Sequence, residues 1–488
     1  MTLIHIIGIL LTVSILLAVS ILSGRKVKDA KAFTTGGKSG SWMVCGAILG
    51  TLVGGQSTIG TAQLAFCFGV SAWWFTIGAA LGALVLSLVY AGPIRRSGCT
   101  TLLEVVSHEY GRKAETVGSV LFLIGIFISI MSQVLSSSAM VTSLFHLPIV
   151  WAAVVSALLI MLFVLFGGIR SAGAGGIIKL VLLYVSCITA GVVVWQLSHG
   201  LDGLFSGVSK ASAWTDVDAA LFRKPFARGP LKDLGGCFSL MLGVVTTQTY
   251  AQGILSGATT AKARCGGLYC AFLIPFIGAA CTLVGIYMRG HYVTADEFAS
   301  LQAAGRTLPA GVGVIESSLQ AFPAFVLNHL PDWLGGIALG AMLINILGCG
   351  SGLVLGAATI VVRDVLTPLG TTSWGSRLVR LGHNTLLQTR LAIMVLLMLA
   401  VVAALSFQGT FINDLGFLSL GLRAVALLFP LTMALFLPGR VRPRCIVPSM
   451  IAGTAVTLLA KFLSLPADPL YFGLAASLAV ILLWGRKR

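Results

Sequence analysis

Charge is what this sequence has least of. Only 10% of its 488 residues are Asp, Glu, Lys or Arg, and its mean hydropathy is +0.99. A chain of this length cannot keep a water-facing surface with so few charges, so a soluble globular protein is excluded in favour of one that crosses a membrane many times. No long polar stretch exists from which a second, soluble domain could be built. Acidic residues are scarcest: 15 Asp and Glu stand against 32 Lys and Arg, a net charge of +17. The basic residues sit in short loops between apolar runs, which points to membrane topology and anionic lipid and away from nucleic acid. The ten cysteines form no Cys-x-x-Cys pair and lie mostly inside apolar runs, among them Cys45, Cys67, Cys187, Cys281 and Cys349, where they act as small hydrophobes. The histidines are scattered. Paired catalytic carboxylates, a Cys/His couple and a phosphate loop are all missing, so no enzyme is expected. The first apolar run lacks the basic lead and the Ala-x-Ala site of a cleaved signal peptide.

A membrane helix needs about 20 apolar residues. Thirteen candidates follow: 3–23, 42–67, 71–92, 116–145, 148–167, 174–196, 235–255, 267–288, 334–361, 391–407, 415–437, 446–462 and 470–485. An odd number puts the termini on opposite sides. Lys and Arg concentrate on one of them, at Arg25 to Lys38, Arg95 and Arg96, Arg112 and Lys113, Lys262 and Arg264, Arg440 to Arg444 and the final Arg486 to Arg488. That side is cytoplasmic by the positive-inside rule, so the N-terminus is expected outside and the C-terminus inside. Two long loops, 197–234 and 289–333, fall outside, with room for short helices or lids.

Two spans are interrupted. The second reads AILGTLVGGQSTIGTAQLAF, with Gly50, Gly54, Gly55 and Gly60; the seventh reads LMLGVVTTQTYAQGIL, with a polar centre at Thr246, Thr247, Gln248 and Thr249. Polar, glycine-broken helices persist in lipid only where they line a cavity. Counted from the second span, these are helices one and six of a ten-helix block. Matched breaks in two five-helix halves point to an inverted-repeat transporter. Glycines that merely allow close helix packing are the alternative; that suits Gly78, Gly82 and Gly340 better than it suits a Thr-Thr-Gln-Thr cluster.

Several signatures, in order and at the right spacing, resemble the sodium:solute symporter family over residues 30–440. They are FTTGGKSGSWMVCGAILGTLVGGQSTIGTAQLAFCFGVSAWW, then TTLLEVVSHEYGRKAE through Thr101, Glu104, Tyr110 and Gly111, then TTQTYAQGILSGATTAKARCG through Thr246, Gln248, Gln252, Leu255, Ala263, Arg264 and Gly266, and GAATIVVRDVL ending on Asp364. The resemblance implies the leucine-transporter fold, all-α, with ten core helices in two inverted repeats, one helix before and two after. It implies a substrate site beside the breaks and a sodium site between core helices one and eight. Carried over by position, the sodium ligands are the carbonyls of Gly50, Val53 and Asn345 and two hydroxyls at 348 and 349. This chain has Gly348 and Cys349 there, and sodium wants oxygen rather than sulfur.

Core helix five departs as well. In GGIRSAGAGGIIKLVLLY, Gly175 and Gly176 replace the family's Thr-Asp pair, and Lys179 follows one turn later. A charge inside a span is a functional candidate: the ammonium could stand in for sodium and exchange a proton. Alternatively, Lys179 snorkels to the cytoplasmic surface. Arg423 lies about nine residues, roughly 13 Å, into its span; it either holds a substrate carboxylate or phosphate or serves a structural pair. Gln56, Ser57, Thr58, Thr247 and Gln248 are the other polar groups placed to meet substrate.

The expected organisation is a leading helix and basic loop (1–41), core repeat one (42–196), an external loop (197–234), core repeat two (235–437) and two accessory helices (438–488). The expected function is cation-coupled symport of a small polar, in one reading anionic, solute by alternating access, in a bacterial inner membrane. The partners are the solute and membrane lipid, with no nucleic acid and no cofactor; the coupling ion is sodium or, if Lys179 takes its place, a proton. A membrane sensor built on the same fold is the remote alternative.

Overall fold

The computed structural model describes residues 2–26, 39–167, 174–212, 215, 217–309, 311–362, 385–407 and 409–485. Asp364 and the Arg486 to Arg488 cluster lie outside them. The described chain is almost entirely helical. Helix α1 (Leu3–Lys26) leads. Core helix one is α2 (Ser41–Leu52), a five-residue π-helical turn (Gln56–Gly60) and α3 (Thr61–Phe68). Core helix two is α4 (Trp74–Val85), running through a second π turn into α5 (Ala91–Arg96). After α6 (Leu102–Tyr110) come α7 (Arg112–Phe145), α8 (Ile149–Gly167) and α9 (Ala174–Leu197), core helices three to five.

The long loop carries α10 (Leu201–Ala211). Core helix six is split into α11 (Pro230–Thr246) and α12 (Gln248–Ser256), and α13 (Thr260–His291) is core helix seven. Two three-residue strands, β1 (Tyr292–Thr294) and β2 (Gly313–Ile315), pair in parallel around α14 (Ala295–Ala303). Then follow α15 (Ala321–His329), α16 (Asp332–Ile360), α17 (Thr385–Ser406) and α18 (Ile412–Phe436), the last three being core helices eight to ten. A closing pair, α19 (Pro443–Phe462) and α20 (Pro469–Trp484), packs together and against α18.

Each expected span falls on one of these helices or on a broken pair. Among the described residues, eight helical stretches are long and apolar enough to cross a membrane. One is the continuous run Gln56–Arg96, where the sequence reading expected two spans. It bends at Gly69, whose φ of 61° is left-handed backbone that glycine alone adopts without strain, against the backbone of Phe222.

Local chemistry sets the ends. The Thr101 and Thr259 hydroxyls cap α6 and α13, Thr294 and Glu297 close a capping box on α14, and Asp468 caps α20. These side chains satisfy N–H groups that a helix start leaves unpaired. Pro230 opens α11 at a position where no N–H is needed. The core is formed by α7 against α16 and α18, α11 against α4 and α18, and α13 against α2, α3 and α4. The lead helix α1 lies along α16.

Candidate functional site

Both broken helices are broken where the sequence suggests. Between α2 and the π turn, Val53 is extended (φ −92°, ψ 97°). Between α11 and α12, Thr247 is extended (φ −88°, ψ 124°). Each break frees backbone groups inside the bundle, and side chains from other helices meet them.

At the first break, the carbonyls are met by protein donors. The Lys179 ammonium points inward and donates to the Gly50 carbonyl at 3.4 Å. The Cys349 thiol donates to the Thr51 carbonyl at 3.2 Å, and the Asn345 amide donates to the Val53 carbonyl at 2.5 Å. Lys179 is part-buried, and its ammonium bonds to core helix one. Gly348 explains how the ammonium fits: a β-carbon added there would lie 2.9 Å from Lys179 Nζ. The nitrogen occupies the space a side chain at 348 would fill. Asn345 contributes through its side chain, where the resemblance implied its carbonyl. Its Oδ1, buried, has no hydrogen-bond partner among the described residues.

At the second break stands Arg423, 1% exposed and the largest fully buried side chain among the described residues. Its Nη2 donates to Ser129 (2.5 Å), Ser419 (2.7 Å) and the Gly125 carbonyl (3.3 Å), and its Nη1 to Thr247 Oγ1 at 3.4 Å. Phe122 covers it, with the guanidinium carbon 5.6 Å from the ring centre. Among the described residues no carboxylate forms an ion pair with Arg423 or with Lys179. Arg423 is thus buried inside the bundle and Lys179 part-buried at the first break, held by hydroxyls, carbonyls and, for Arg423, the Phe122 ring. Buried charge is normally paired, and Arg423 Nε, also buried, has no hydrogen-bond partner among the described residues.

The remaining expected residues divide. Gln56, Ser57 and Thr58 lie in the π turn and are buried; Ser57 and Thr58 hydrogen-bond back onto Leu52 and Gly54, while Gln56 donates to Ser132. Thr247 lies against Arg423, as above. Gln248 does not join them. Its carbonyl accepts from the Leu102 N–H (2.7 Å) and its amide donates to Thr100 (3.3 Å), so it clips core helix six to the start of α6.

The sequence reading missed the contribution of α7. Gln133 accepts from the Gly55 N–H at 3.2 Å and donates to the Cys349 sulfur at 3.6 Å, tying core helices one, three and eight together. Ser129, Ser132 and Ser136 lie on the same side of α7, all buried. Their i, i+3, i+7 spacing in an otherwise apolar span was the available signal.

Contacts join neighbouring elements on two sides of this region. On one side Ser39 pairs with Gly257, Trp42 stacks on Tyr269 at 4.8 Å, and Arg95 donates to the Ile254 and Leu255 carbonyls. On the other, Phe75 and Phe417 meet at 5.3 Å beside Gln56 and Gly416.

A family model for the sodium:solute symporter family matches residues 33–453. The chain belongs to that family. Among curated relatives, the high-affinity choline transporter 1 of Drosophila melanogaster is 23% identical over 381 residues, 74% of this chain and 56% of the relative. The human high affinity choline transporter 1 is 23% identical over 355 residues, 70% and 57% respectively. The chain spans little more than half the length of these relatives. A solved Na+-coupled sialic acid symporter, in a substrate-bound outward-open state, matches with a TM-score of 0.70 at 17% identity, covering 99% of this chain and 96% of that one. The nucleobase-cation-symport-1 transporter Mhp1, closed with bromovinylhydantoin bound, matches at 0.51 with 12% identity over 92% and 93%. At such identities the likeness establishes the fold, that of a multi-pass helical membrane transporter.

At the positions that the resemblance assigns to a cation, the oxygens are already engaged. A hard cation needs several free oxygens at one point. Here the carbonyls of Gly50, Thr51 and Val53 accept from an ammonium, a thiol and an amide, and positions 348 and 349 offer no hydroxyl. Of these groups Asn345 Oδ1 alone is left without a partner among the described residues, fewer free oxygens than a sodium ion takes.

Proposed function

We propose that the protein is a secondary active carrier that moves a small anionic solute across the membrane by alternating access, coupled to a proton at the first helix break. The observation that carries this reading is the Lys179 ammonium on the Gly50 carbonyl, in the space left by Gly348. A tethered cation there does electrostatically what a bound ion would do, and an amine can release and regain a proton, whereas sodium would have to displace three protein donors. The membrane orientation that the positive charges favour puts α6 and the Ser39–Gly257 contact on the cytoplasmic side.

Arg423 supports an anionic solute. It stands at the second break without a carboxylate, beside the N-terminus of α12, whose first free N–H groups add positive potential. A guanidinium takes a carboxylate or phosphate through two hydrogen bonds. Choline, the cation in the names of the curated relatives, would be repelled by it; an acid, such as the sialic acid of the structural neighbour, would be attracted. Sodium coupling is the second reading, favoured by family membership and by the unpartnered Asn345 Oδ1.

The test is uptake by proteoliposomes offered matched anionic, neutral and cationic solutes. Wild type is expected to take up the anionic class; Arg423→Gln is expected to lose that uptake by more than about tenfold, the worth of a charge-assisted bidentate contact. Uptake of cationic solutes by wild type, or equal loss for neutral and anionic solutes in Arg423→Gln, contradicts the reading.

A further inference from the structure

A second arginine lies away from the helix breaks, in the loop just ahead of α11. Arg228 is 3% exposed. Asp233, on the first turn of α11, holds it twice, accepting from Nε at 2.8 Å and from the backbone N–H at 3.2 Å. Its Nη1 donates to Asp414, on the first turn of α18, at 2.6 Å. Its Nη2 is buried and has no partner among the described residues. The guanidinium also lies over Phe417, 5.4 Å from the ring centre, and Phe417 packs on Phe75. Beside it opens a cavity of about 160 Å³, lined by Arg228, Lys232, Lys461, Asp414, Asp468 and Ser239. Among the described residues, neither Lys232 nor Lys461 forms an ion pair.

We propose that Arg228, with Lys232 and Lys461, is an anion-capture site at the mouth of the carrier, and that the Asp414 carboxylate occupies it in this conformation. The fork has two edges. Asp233 keeps the Nε edge fixed to α11. The Nη1–Nη2 edge carries one carboxylate oxygen from α18 on one nitrogen and leaves the other free. That edge is the geometry that receives a carboxylate or phosphate through two parallel hydrogen bonds.

Asp414 and Asp233 belong to different core helices, so any opening between α11 and α18 at this end separates them. Arg228 then stays with Asp233, and its free edge faces the cavity. With Asp414 withdrawn, the groups there are Arg228, Lys232 and Lys461 against Asp233 and Asp468, an excess of positive charge. An incoming anion restores the compensation that Asp414 supplied, and opening and capture are thereby one exchange of carboxylates. The site shares the anionic solute class with the proposed function, but it stands on Arg228 and not on Arg423.

The test uses the full-length protein in nanodiscs, with inorganic phosphate as the probe against chloride at equal ionic strength, read as protection from thermal unfolding. Asp414→Asn removes the competing carboxylate, whose local concentration is in the millimolar range or above. Half-maximal protection is expected at a phosphate concentration on the order of tenfold lower than in wild type. Adding Arg228→Lys to Asp414→Asn keeps a cation on Asp233 but removes the fork, and is expected to abolish the gain. Adding Arg423→Gln to Asp414→Asn is expected to leave it unchanged. Protection that survives Arg228→Lys, or that is absent from Asp414→Asn, overturns the site. Protection lost with Arg423→Gln instead places the anion at the second helix break; that outcome also overturns the external site while leaving the anionic-solute reading intact.

Discussion

Gly348→Ser is harmful only while Lys179 is present. A β-carbon at 348 would lie 2.9 Å from Lys179 Nζ, and its next neighbour, a Phe163 ring carbon, is at 3.7 Å. Only the ammonium has to move. It is already 3.4 Å from the Gly50 carbonyl, near the limit of a hydrogen bond, so a shift of a few tenths of an ångström breaks that contact. A hydrogen bond involving a charged group contributes about 1.5–3 kcal/mol, so Gly348→Ser is expected to cost that amount in the wild-type background. In Lys179→Ala the obstacle is gone and the same substitution is expected to cost less than about 0.5 kcal/mol. The coupling in the double-mutant cycle is therefore about 1–3 kcal/mol. It is read from reversible unfolding of the purified protein in lipid nanodiscs.

The same background tests the chemistry. Lys179→Ala with Gly348→Ser and Cys349→Ser returns two hydroxyls and vacates the Gly50 carbonyl. Sodium is then expected to stabilise the protein by about 2.7 kcal/mol at a hundredfold excess over its dissociation constant, with potassium giving no such effect. A coupling within about 0.5 kcal/mol of zero would show that the glycine and the lysine are unrelated, and the reasoning would fail.

Three further outcomes follow from the same geometry. Gly54→Ala places a carbon 2.9 Å from the Gln133 amide nitrogen and 3.0 Å from the Cys349 sulfur. It is expected to cost about 1–3 kcal/mol, the range for overpacking, in the same unfolding assay, and a neutral effect would mean that the break is loosely packed. Gln248→Ala removes the clip on α6. Amide exchange at Leu102 is expected to quicken without a change in solute selectivity, whereas altered selectivity would put Gln248 back in the substrate path. Glu297 outside the bundle should make α14 acid-sensitive. Burial raises its pKa, but the hydrogen bonds and charge of Arg289 outweigh that, and the net effect lies below the usual glutamate value. Its contribution is complete above about pH 4.3 and is lost as pH falls through the depressed value. Protection of the Ala295–Ala303 amides, taken relative to intrinsic exchange at each pH, should therefore fall only in acid, and protection unchanged in that range would refute it.

Much of the architecture could be read from residues alone, for a physical reason. Lipid forces backbone groups to be satisfied within each span, so apolar length marks helices, and the stretches around Gly54 and Thr247 stand out because they violate that rule. Lys179 and Arg423 stand out for the same reason, since charge is rare at depth. Gly348 and Cys349 were legible only as departures from a family pattern; that Gly348 houses the ammonium needed coordinates. What could not be read was partnership. Nothing local in Gln133 says that it reaches both Gly55 and Cys349, and nothing in Gln248 says that it turns away to α6. Arg228 looks like one basic residue among several in a long loop until Asp414, 186 positions further on, is folded against it. Such pairings are set by how helices distant in sequence pack, and period and composition carry no record of that.

The central claim is that a lysine and not a sodium ion supplies the positive charge at the first helix break. Radioactive sodium binding to the purified wild-type protein in nanodiscs, side by side with solute uptake driven by an inward proton gradient in sodium-free proteoliposomes, addresses it directly. The account predicts no saturable sodium binding together with concentrative uptake under the proton gradient alone. Saturable sodium binding that Lys179→Ala leaves unchanged, with uptake only when sodium is supplied, would contradict it.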